Sequence, residues 1–436
     1  MVDKSNTILV FGAYGFIGAN ICRSLMQARL NVVGLGRNID TAQSVLPHIN
    51  WHIYDLAQLQ KTNDWVPLLV GISHVVNCAG ALQTTHSDDL DITHITAIAA
   101  LSEACAVRGI GLIQISAVGA DISANTEFLR TKGLGDQKVQ REDLAYWIFR
   151  PGMVLAKNAY GGSALMRMLA AVPVIQPMAL SNAQIQTVHI NDISIAVLAA
   201  INGDIPSRIC VDLVEDEPHS LQDLILNLRN WLGFKPAKWH LNLPLWMLYI
   251  TAKLADGLAL LGWRSPLRST SISVLKEDVL GDPAPYRALS DHSITPLSST
   301  LALMNTDSQD RLSARVSLLF PLSMLTLFLF WLISGVIGFW QVDRAALVLT
   351  DIGWSHNLAK FSVIFWSFID CTLAFMLIVK RITTWALWGM IMTSLIYMVS
   401  AALITPDLWI DPLGPMVKIL PAIMLALITR AMMGNR

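Results

Sequence analysis

Three glycines with the spacing GxxGxxG follow a short apolar run near the start of the chain. They are Gly12, Gly15 and Gly18, and the run before them, Thr7 to Phe11, has the character of a strand. In such a turn the first glycine permits a tight bend, the second lets backbone amides approach a pyrophosphate, and the third lets the next helix pack closely. The helix N-terminus then faces the anion. This pattern predicts a dinucleotide site formed by Gly12, Tyr14, Gly15, Phe16, Ile17 and Gly18.

The end of the second predicted strand carries a cation where an acidic residue would select NAD. The segment reads Gly34-Leu35-Gly36-Arg37. Because a guanidinium pairs bidentately with phosphate, Arg37 favours NADP(H), with NAD as the other cofactor and a solvated surface arginine as the alternative. Two segments that end later strands are expected beside the cofactor, with ordinary turn chemistry as the alternative: Asp55 with Leu56, and Cys78, Ala79 with Gly80.

The elements that must position these residues alternate between strands and helices up to about residue 205. This alternation is typical of βαβ units on a doubly wound parallel sheet. The predicted strands are Thr7–Phe11, Asn31–Leu35, Trp51–Tyr54, His74–Asn77, Gly111–Ile115 and Tyr146–Phe149. We therefore predict an α/β Rossmann domain over residues 1–212, a connecting region over 213–310, and an all-α transmembrane four-helix bundle over 311–436.

Four apolar segments in the last third of the chain are predicted to cross a membrane. They cover residues 316–340, 361–379, 383–404 and 413–429. The first has about 25 uncharged residues, more than the roughly 20 that span the hydrocarbon core. The fourth is short and contains Lys418, which can extend towards the interface.

The basic residues near these spans predict their orientation. Arginines and lysines flank one side of the spans, at Arg311, Arg315, Lys380, Arg381, Arg430 and Arg436. Because positive charge is enriched on the cytoplasmic side, we expect the nucleotide domain and both termini to lie in the cytoplasm, at a bacterial-type inner membrane.

The overall composition excludes some partners. Hydrophobic residues make up 53% and charged residues 14% of the chain, against about 25% charged in soluble proteins. The net charge of −1 disfavours nucleic acid as a partner. The five cysteines lack paired spacing, which is typical of free thiols in a reducing compartment rather than of disulfides or a zinc site.

Two apolar segments contain charges that need an explanation. The stretch 243–263 carries Lys253 and Asp256 and fits either an interfacial membrane helix or a docked soluble helix. Asp370 lies near the middle of the second span, where ionisable groups are costly. We expect it to line a polar membrane pocket with Ser367, Thr393, Tyr397 and Ser400, or else to bond between helices as a packing device.

In its first part, which contains the glycine turn, the chain resembles the atypical short-chain dehydrogenase/reductase superfamily, including its NmrA-like and complex-I-associated branches. The resemblance covers about Thr7 to Asp192 and includes the glycine turn and the segments Asn77-Cys78-Ala79-Gly80, Ile115-Ser116-Ala117, Arg150-Pro151-Gly152 and Val188-His189-Ile190-Asn191-Asp192. It implies that Pro151, Gly152 and Val154 also contact the cofactor. The C-terminal part, with Trp331-Leu332-Ile333-Ser334-Gly335 and Asp411-Pro412-Leu413-Gly414-Pro415, resembles a DoxX-like membrane domain.

The resemblance also implies a catalytic group, with one departure. In this superfamily a Tyr, a Lys four residues later and a nearby Ser carry the proton transfer that accompanies hydride transfer. Ser116 and Lys132 match, but Phe128 stands in the Tyr position. Helical spacing places Phe128 and Lys132 on one face, yet a phenyl ring has no proton to donate.

Two hypotheses follow from this departure. In the first, the chain is an NAD(P)-dependent oxidoreductase for a lipophilic or quinone-like substrate. Lys132 then holds the cofactor ribose, Ser116 a substrate oxygen, and Tyr14, Tyr160 or a water supplies the proton. In the second, the domain binds nucleotide without turnover, as a sensor or an assembly module whose membrane bundle binds a partner protein.

Overall fold

The computed structural model describes residues 7–80, 89–263, 265–412 and 414–433. These residues fall into two compact units, the first within Met1–Lys253 and Pro266–Arg311 and the second within Leu254–Ser265 and Leu312–Arg436. Leu413, which begins the fourth predicted span, and Arg436, used above for orientation, lie outside the described residues.

The strands, in chain order, are short and lie in the first unit. They are β1 Thr7–Phe11, β2 Asn31–Gly36, β3 Asn50–Ile53, β4 Ile72–Asn77, β5 Gly111–Ile115, β6 Tyr146–Pro151, β7 Met153–Leu155, β8 Ile175–Met178, β9 Gln184–Ile185, β10 Thr187–His189, β11 Ile209–Leu213, β12 His219–Ser220 and β13 Trp239–Asn242.

The helices occur in both units. Up to residue 303 they are α1 Phe16–Gln27, α2 Ile39–Val45, α3 Thr62–Trp65, α4 Ala97–Arg108, α5 Glu127–Val139, α6 Gly161–Ala170, α7 Ile190–Asn202, α8 Leu221–Trp231, α9 Leu245–Leu260, α10 Ser269–Lys276, α11 Ala284–Leu289 and α12 Leu297–Leu303. They continue with α13 Ser308–Trp340, α14 Val342–Thr350, α15 His356–Ile378, α16 Thr383–Ile404, α17 Asp407–Ile410 and α18 Ile419–Met433. Short 3-10 helices lie at Leu56–Gln58 and Val66–Leu69, and a π-helix lies at Ile92–Thr96.

Seven parallel strands form the main sheet in the order β11-β6-β5-β4-β1-β2-β3. The predicted α/β doubly wound fold is therefore confirmed, and all six predicted strands are present. The seventh, β11, was not predicted; it pairs with β6 and crosses residue 212, the predicted end of the domain. Its five residues include Asp212, so it lacks the uniform apolar character of a central strand.

The sheet is covered on both faces, as its apolar strands require. In β1, Ile8 and Val10 lie in a core with Ile21 of α1 and Val197 of α7. The alternate residues Leu9 and Phe11 lie in a second core with α3 and α4. Because successive side chains of a strand point to opposite faces, one buried strand supplies both cores.

The second unit is helical, and three of its described helices are long and apolar enough to cross a membrane. They are Ser308–Trp340, His356–Ile378 and Thr383–Ile404. Leu327, Leu377 and Met390, one from each, share a core that also contains Ala426 of α18.

The fourth predicted span differs from its prediction. The helix there, α18, covers Ile419–Met433 and has 15 residues, fewer than the roughly 20 needed to span the hydrocarbon core. Prolines at 412 and 415 disfavour helix over the first part of the predicted span. Among the described residues, three helices have the length and hydropathy of a membrane span, and α18 is a shorter apolar helix.

Candidate functional site

The glycine turn after β1 has the conformation that its spacing predicts. Gly12 has a φ of +71°, and a Cβ on it would lie 3.0 Å from the Ala79 amide nitrogen. A Cβ on Gly18 would overlap the Gly12 carbonyl group, and one on Gly15 would lie 3.0 Å from the Gly12 oxygen. The turn is thus closed by backbone contacts that leave little room for a side chain at Gly12 and Gly15 and none at Gly18.

The turn opens a helix whose first amides are available to an anion. Gly15 is the N-cap of α1, in an extended conformation, and it has no side chain that could cap the helix. The first-turn amides therefore end at the carboxyl edge of the sheet with the positive end of the helix dipole. A phosphate group fits this cradle, because it would accept hydrogen bonds that no capping side chain competes for.

The loops after β1 and β4 meet at the position where strand order reverses. From β1 the sheet proceeds to β2 on one side and to β4 on the other, which creates the crevice where doubly wound folds bind ligands. Asn77, which is buried, ends β4, and its Oδ1 accepts the Ala79 N–H at 3.0 Å. That bond shapes the loop of Cys78, Ala79 and Gly80 beside Gly12.

Tyr14 and Arg37 meet at the end of β2. A Cβ on Gly36 would overlap the Tyr14 ring, so this glycine lets the ring lie against the strand. The backbone N–H of Arg37 donates to the Tyr14 hydroxyl at 3.1 Å. Tyr14 therefore supports the segment that carries Arg37, at the end of β2. A proton donor for the reaction would instead have to lie beside Lys132.

Asp55 and Leu56 follow β3 and have separate roles. Asp55 Oδ1 accepts the Ala57 N–H at 2.9 Å, and its Oδ2 lies 4.0 Å from the Arg37 guanidinium, both side chains being exposed. Leu56 is buried in the core next to α3 and α4. Only Asp55 of this pair presents its side chain at the cofactor edge.

Lys132 reaches the strand ends from α5, although it is almost fully buried. Its Nζ lies 3.4 Å from the Ala79 carbonyl oxygen and 3.3 Å from that of Ile115, so it bridges the ends of β4 and β5. It also lies 3.2 Å from where a Cβ on Gly80 would stand. Burial lowers the pKa of the Lys132 ammonium below its usual range, which Asp136 partly opposes.

His94 was not predicted as a site residue, and the π-helix brings it to Phe128 and Lys132. The His94 ring meets that of Phe128 edge-on, with centroids 5.9 Å apart. A Cβ on Gly80 would lie 3.8 Å from His94 Nε2. Nδ1 lies 2.8 Å from the Thr131 hydroxyl, which donates its own proton to the Phe128 carbonyl. Because that proton is already donated, the Thr131 oxygen is placed to accept a hydrogen bond from Nδ1.

Burial keeps the His94 ring neutral. It lowers the pKa of His94 to about 2, with a smaller contribution from the Lys132 charge. The ring can therefore accept and donate hydrogen bonds across the physiological range without carrying charge. A π-helix of this kind is commonly found at functional sites, and here α5 packs against it at Gly135, where a Cβ would overlap the His94 carbonyl oxygen.

Ser116 lies in a buried network with Asp136 and Arg150. The Ser116 hydroxyl donates to Asp136 Oδ2 at 2.9 Å, and Arg150 Nε and its terminal nitrogen reach the same oxygen at 3.0 and 2.9 Å. Burial raises the pKa of Asp136, while Arg150 and Ser116 oppose the shift. Asp136 Oδ1 is buried and has no hydrogen-bond partner in the described part of the chain.

The remaining predicted contact residues come from α1, β6, β7 and the start of α6. Tyr160 precedes α6 and stacks on Phe16 with centroids 5.7 Å apart and an angle of 21°. Pro151 ends β6, where its carbonyl accepts the Val118 N–H, and a Cβ on Gly152 would contact the Gln186 carbonyl oxygen. Val154 lies in β7, and Ile17 packs against the core of α1 and α7.

Sequence reasoning missed Asp136 and His94 for different reasons. Asp136 follows Lys132 by four residues, so the helical spacing that joined Phe128 and Lys132 also predicts its face. The signal for His94 is weaker, because a single histidine in an apolar run is usually a core residue. Only the π-helix decides where its ring points.

In the second unit, Asp370 is bonded between helices. It is buried, its Oδ2 accepts the Ser334 hydroxyl at 2.9 Å and its Oδ1 accepts the Tyr397 hydroxyl at 3.0 Å, which links α15 to α13 and α16. Ser334 was not predicted as its partner. Of the predicted pocket residues, Thr393 is buried, and Ser367 packs where Gly338 lacks a side chain. Both carboxylate oxygens are satisfied, which favours the packing role over a ligand pocket.

Two family models match separate parts of the chain. Residues 8–134 match the NAD dependent epimerase/dehydratase family, and residues 328–427 match the DoxX-like family. A comparison with curated protein sequences gives no match.

Solved structures share the fold of the nucleotide-binding part at low identity. The Bordetella bronchiseptica enzyme WbmH in complex with NAD+ is 15% identical, with a TM-score of 0.51 over 68% of this chain and 96% of that chain. The protein gox2253 is 18% identical, with a TM-score of 0.51 and the same coverage, 68% and 96%. These similarities support the fold only.

The sheet and its glycine turn define the first part of the chain as a Rossmann-like domain. With the two matches, the chain combines a domain of the NAD-dependent epimerase/dehydratase type with a DoxX-like membrane domain. The resemblance stated from the sequence is confirmed for both parts.

Proposed function

We propose that this protein is a membrane-anchored NAD(P)-dependent oxidoreductase. The observation that carries the proposal is that the glycine turn and the buried Lys132 meet at the same crevice, on either side of Ala79 and Gly80. The crevice offers amides for a pyrophosphate and, beside them, a cation whose pKa burial has lowered.

The residues that would hold the cofactor follow from their places along this edge. The amides of Phe16, Ile17 and Gly18 would bind the pyrophosphate, since the Gly15 amide donates to the Gly12 carbonyl. Arg37 and Asp55 would lie beside the adenosine, and Gly80 would leave space next to Lys132. Bound nicotinamide would supply or accept a hydride.

Lys132 is the proton donor in this proposal, in place of the absent tyrosine. Two of its three N–H groups face the carbonyls of Ala79 and Ile115, at 3.4 and 3.3 Å, and the third is left for a substrate oxygen. A lowered pKa makes an ammonium a stronger acid and brings it closer to the pH at which general acids are effective.

Ser116 and His94 would orient the substrate and the lysine. Because the Ser116 proton is bonded to Asp136, the Ser116 oxygen accepts hydrogen bonds, so it suits a hydroxyl on the substrate. The neutral His94 ring lies near Gly80 and meets the Phe128 ring edge-on. We treat His94 as a positioning residue, because a pKa of about 2 makes it a poor base.

The membrane domain supports a lipophilic substrate, such as a quinone or another lipid-soluble carbonyl or alcohol. An enzyme fixed at a bilayer meets such molecules where they are concentrated. The arginines and lysines beside the spans favour a cytoplasmic nucleotide domain, where NAD(P)(H) is present. Purified protein should bind NADPH or NADH and change its absorbance on addition of quinones or membrane extract. If the purified protein neither binds the nucleotides nor changes its absorbance, the proposal is refuted.

Arg37→Ala is expected to weaken NADPH binding about tenfold and to leave NADH binding nearly unchanged. The guanidinium would pair with the 2′-phosphate, which NADH lacks, and charge-assisted hydrogen bonds contribute about 1.5–3 kcal/mol. Isothermal titration calorimetry measures both affinities. Arg108→Ala, which removes an arginine near the end of α4, is the matched control. Equal losses for both nucleotides would assign Arg37 to general structure instead.

A catalytically silent nucleotide sensor or assembly module is the second candidate, and Phe128 favours it. Phe128→Tyr separates the two, because a phenol here would lie one helical turn from Lys132 and beside His94. For a working oxidoreductase we expect turnover to rise by at least about tenfold, within the usual range of general-acid catalysis. Steady-state absorbance of NADPH is the measurement, and Phe149→Tyr, in β6, is a control for a phenol placed elsewhere. Tight nucleotide binding without turnover, both in the original protein and in Phe128→Tyr, would favour the silent module.

A further inference from the structure

One helix of the protein presents an apolar face to its surroundings. Trp246, Ile250 and Leu254 of α9 follow one another at four-residue intervals and are 62%, 52% and 64% exposed. The opposite side of the helix contains Ala252 and Ala255, which are buried. Surface helices of soluble proteins have the reverse pattern, with polar residues facing the solvent.

A short ladder next to this helix also turns an apolar face outwards. β13 pairs with β8 in parallel, with Trp239 opposite Ile175. Trp239, Leu241 and Ile175 are 68%, 51% and 44% exposed, whereas Gln176 and Met178, which alternate with Ile175, are buried. Only residues 243 and 244 separate β13 from α9, so the two apolar faces adjoin along the chain.

Lysines flank these apolar faces. Lys235, Lys238, Lys253 and Lys276 are exposed. Lys276 Nζ donates to the Tyr249 hydroxyl at 3.1 Å, which fixes one positive charge at the side of α9. The carboxylates that follow Lys276 are bonded to the protein, Glu277 to Asn125 and Asp278 to the Gln184 N–H. These bonds leave both carboxylates charged, and Asp256 of α9 adds a third, so four positive and three negative charges give this group a net charge of +1.

We infer that α9 and the β8–β13 ladder form a membrane-binding face that lies on an anionic bilayer surface. The 16 residues of α9 extend about 24 Å, which is too short to cross a hydrocarbon core of about 30 Å, so the helix lies in the interface. Exposed tryptophans are typical of the headgroup region, and lysines beside an apolar helix bind anionic lipid.

The bilayer is favoured over a soluble partner because the same chain contains membrane-spanning helices. From α13 onwards the described residues include three helices suited to cross a bilayer, which tether α9 to a lipid surface at high effective concentration. A soluble protein or a second copy of the chain would have to compete with that surface. This inference does not depend on catalysis, so its failure leaves the proposed oxidoreductase untouched.

Depth-dependent quenching on the full chain tests the inference. An environment-sensitive fluorophore is placed on single cysteines at Ile250→Cys and Trp239→Cys, with Val107→Cys as the control, since Val107 of α4 is 79% exposed. Labelling of the unsubstituted protein gives the background from its five native cysteines. The protein is reconstituted in vesicles of equal parts phosphatidylcholine and phosphatidylglycerol, with or without lipids that carry a nitroxide high on the acyl chain.

We expect the nitroxide lipids to lower the emission at positions 239 and 250 by about twofold, because an interfacial helix buries its apolar face about 5–10 Å into the headgroup boundary. The emission of the label at position 107 should not change. Quenching at positions 239 and 250 should weaken in vesicles of pure phosphatidylcholine. Labels at 239 and 250 that aqueous iodide reaches as readily as 107 would overturn the inference. So would labels shielded from both quenchers, which indicate a protein partner or a second copy. Equal quenching in neutral vesicles would refute the role of the lysines.

Discussion

Lys132→Met is expected to lower turnover by about 10²–10⁴-fold, the usual contribution of a general acid. Methionine keeps the length of the side chain but removes the N–H groups, so the substrate oxygen loses its donor. Nucleotide affinity should fall by less than about tenfold, because the glycine turn supplies the pyrophosphate contacts. Initial rates from NADPH absorbance and affinities from calorimetry provide the two measurements.

Lys138→Met is the matched control, since Lys138 lies on the same helix and is exposed. It should leave both rate and affinity unchanged. A Lys132→Met protein that keeps its turnover within about threefold of the original would place the proton donor elsewhere.

The pH profile of the same reaction gives an independent check on Lys132. Reduction of a carbonyl needs the ammonium form, which is present below the pKa of the lysine. Because burial lowers that pKa below its ordinary value of 10.5, the rate should fall as the pH rises through a value below 10.5. The falling limb should vanish in Lys132→Met. A limb at the ordinary lysine pKa would contradict the buried position.

Gly18→Ala is expected to weaken nucleotide binding by about tenfold to a hundredfold, or about 1.4–2.7 kcal/mol. The added Cβ would overlap the Gly12 carbonyl group and lie 2.9 Å from its carbon. Because the obstacle is backbone, the glycine turn itself must move, and the amides that face the pyrophosphate move with it. Overpacking of this kind also costs about 1–3 kcal/mol of stability.

Gly257→Ala controls for the general effect of a methyl group. Nothing lies within 4 Å of a Cβ at Gly257, and its backbone is not left-handed, so alanine there should be neutral or slightly stabilising. Calorimetry with NADPH and thermal unfolding give the two readouts. Unchanged affinity in Gly18→Ala would mean that the turn between Gly12 and Gly18 does not bind the nucleotide.

The first half of the fold was predictable because its signals are local. The strand Thr7–Phe11 and the glycines after it lie within 12 residues, and a turn that excludes side chains requires glycine wherever it occurs. Five further strands were recognised from their apolar runs. β11 was missed, because Asp212 interrupts its pattern.

The site was predictable in outline but not in its bonds. Helical spacing joins Phe128, Lys132 and Asp136 on one face, but spacing alone does not say that this face is buried. The bond from Ser116 to Asp136 joins residues 20 positions apart, and the bond from His94 to Thr131 joins residues 37 apart. Such pairs exist only because α5 packs against the π-helix and beside the end of β5.

The membrane part shows the same division. Apolar composition was sufficient to predict α13, α15 and α16, because a bilayer span needs only length and hydrophobicity. It was not sufficient for α18, where prolines 412 and 415 shorten the helix, or for α9, which fitted two environments equally well.

From the sequence alone, a Rossmann domain followed by membrane helices was predictable, because glycine spacing and continuous hydrophobicity are properties of short segments. The tertiary structure decided which polar groups meet: it paired Ser116 with Asp136, brought Lys132 to Ala79, and bonded Asp370 to Ser334 and Tyr397. It also turned the apolar side of α9 outwards. These contacts depend on distances between elements far apart in the chain, which a local pattern does not contain.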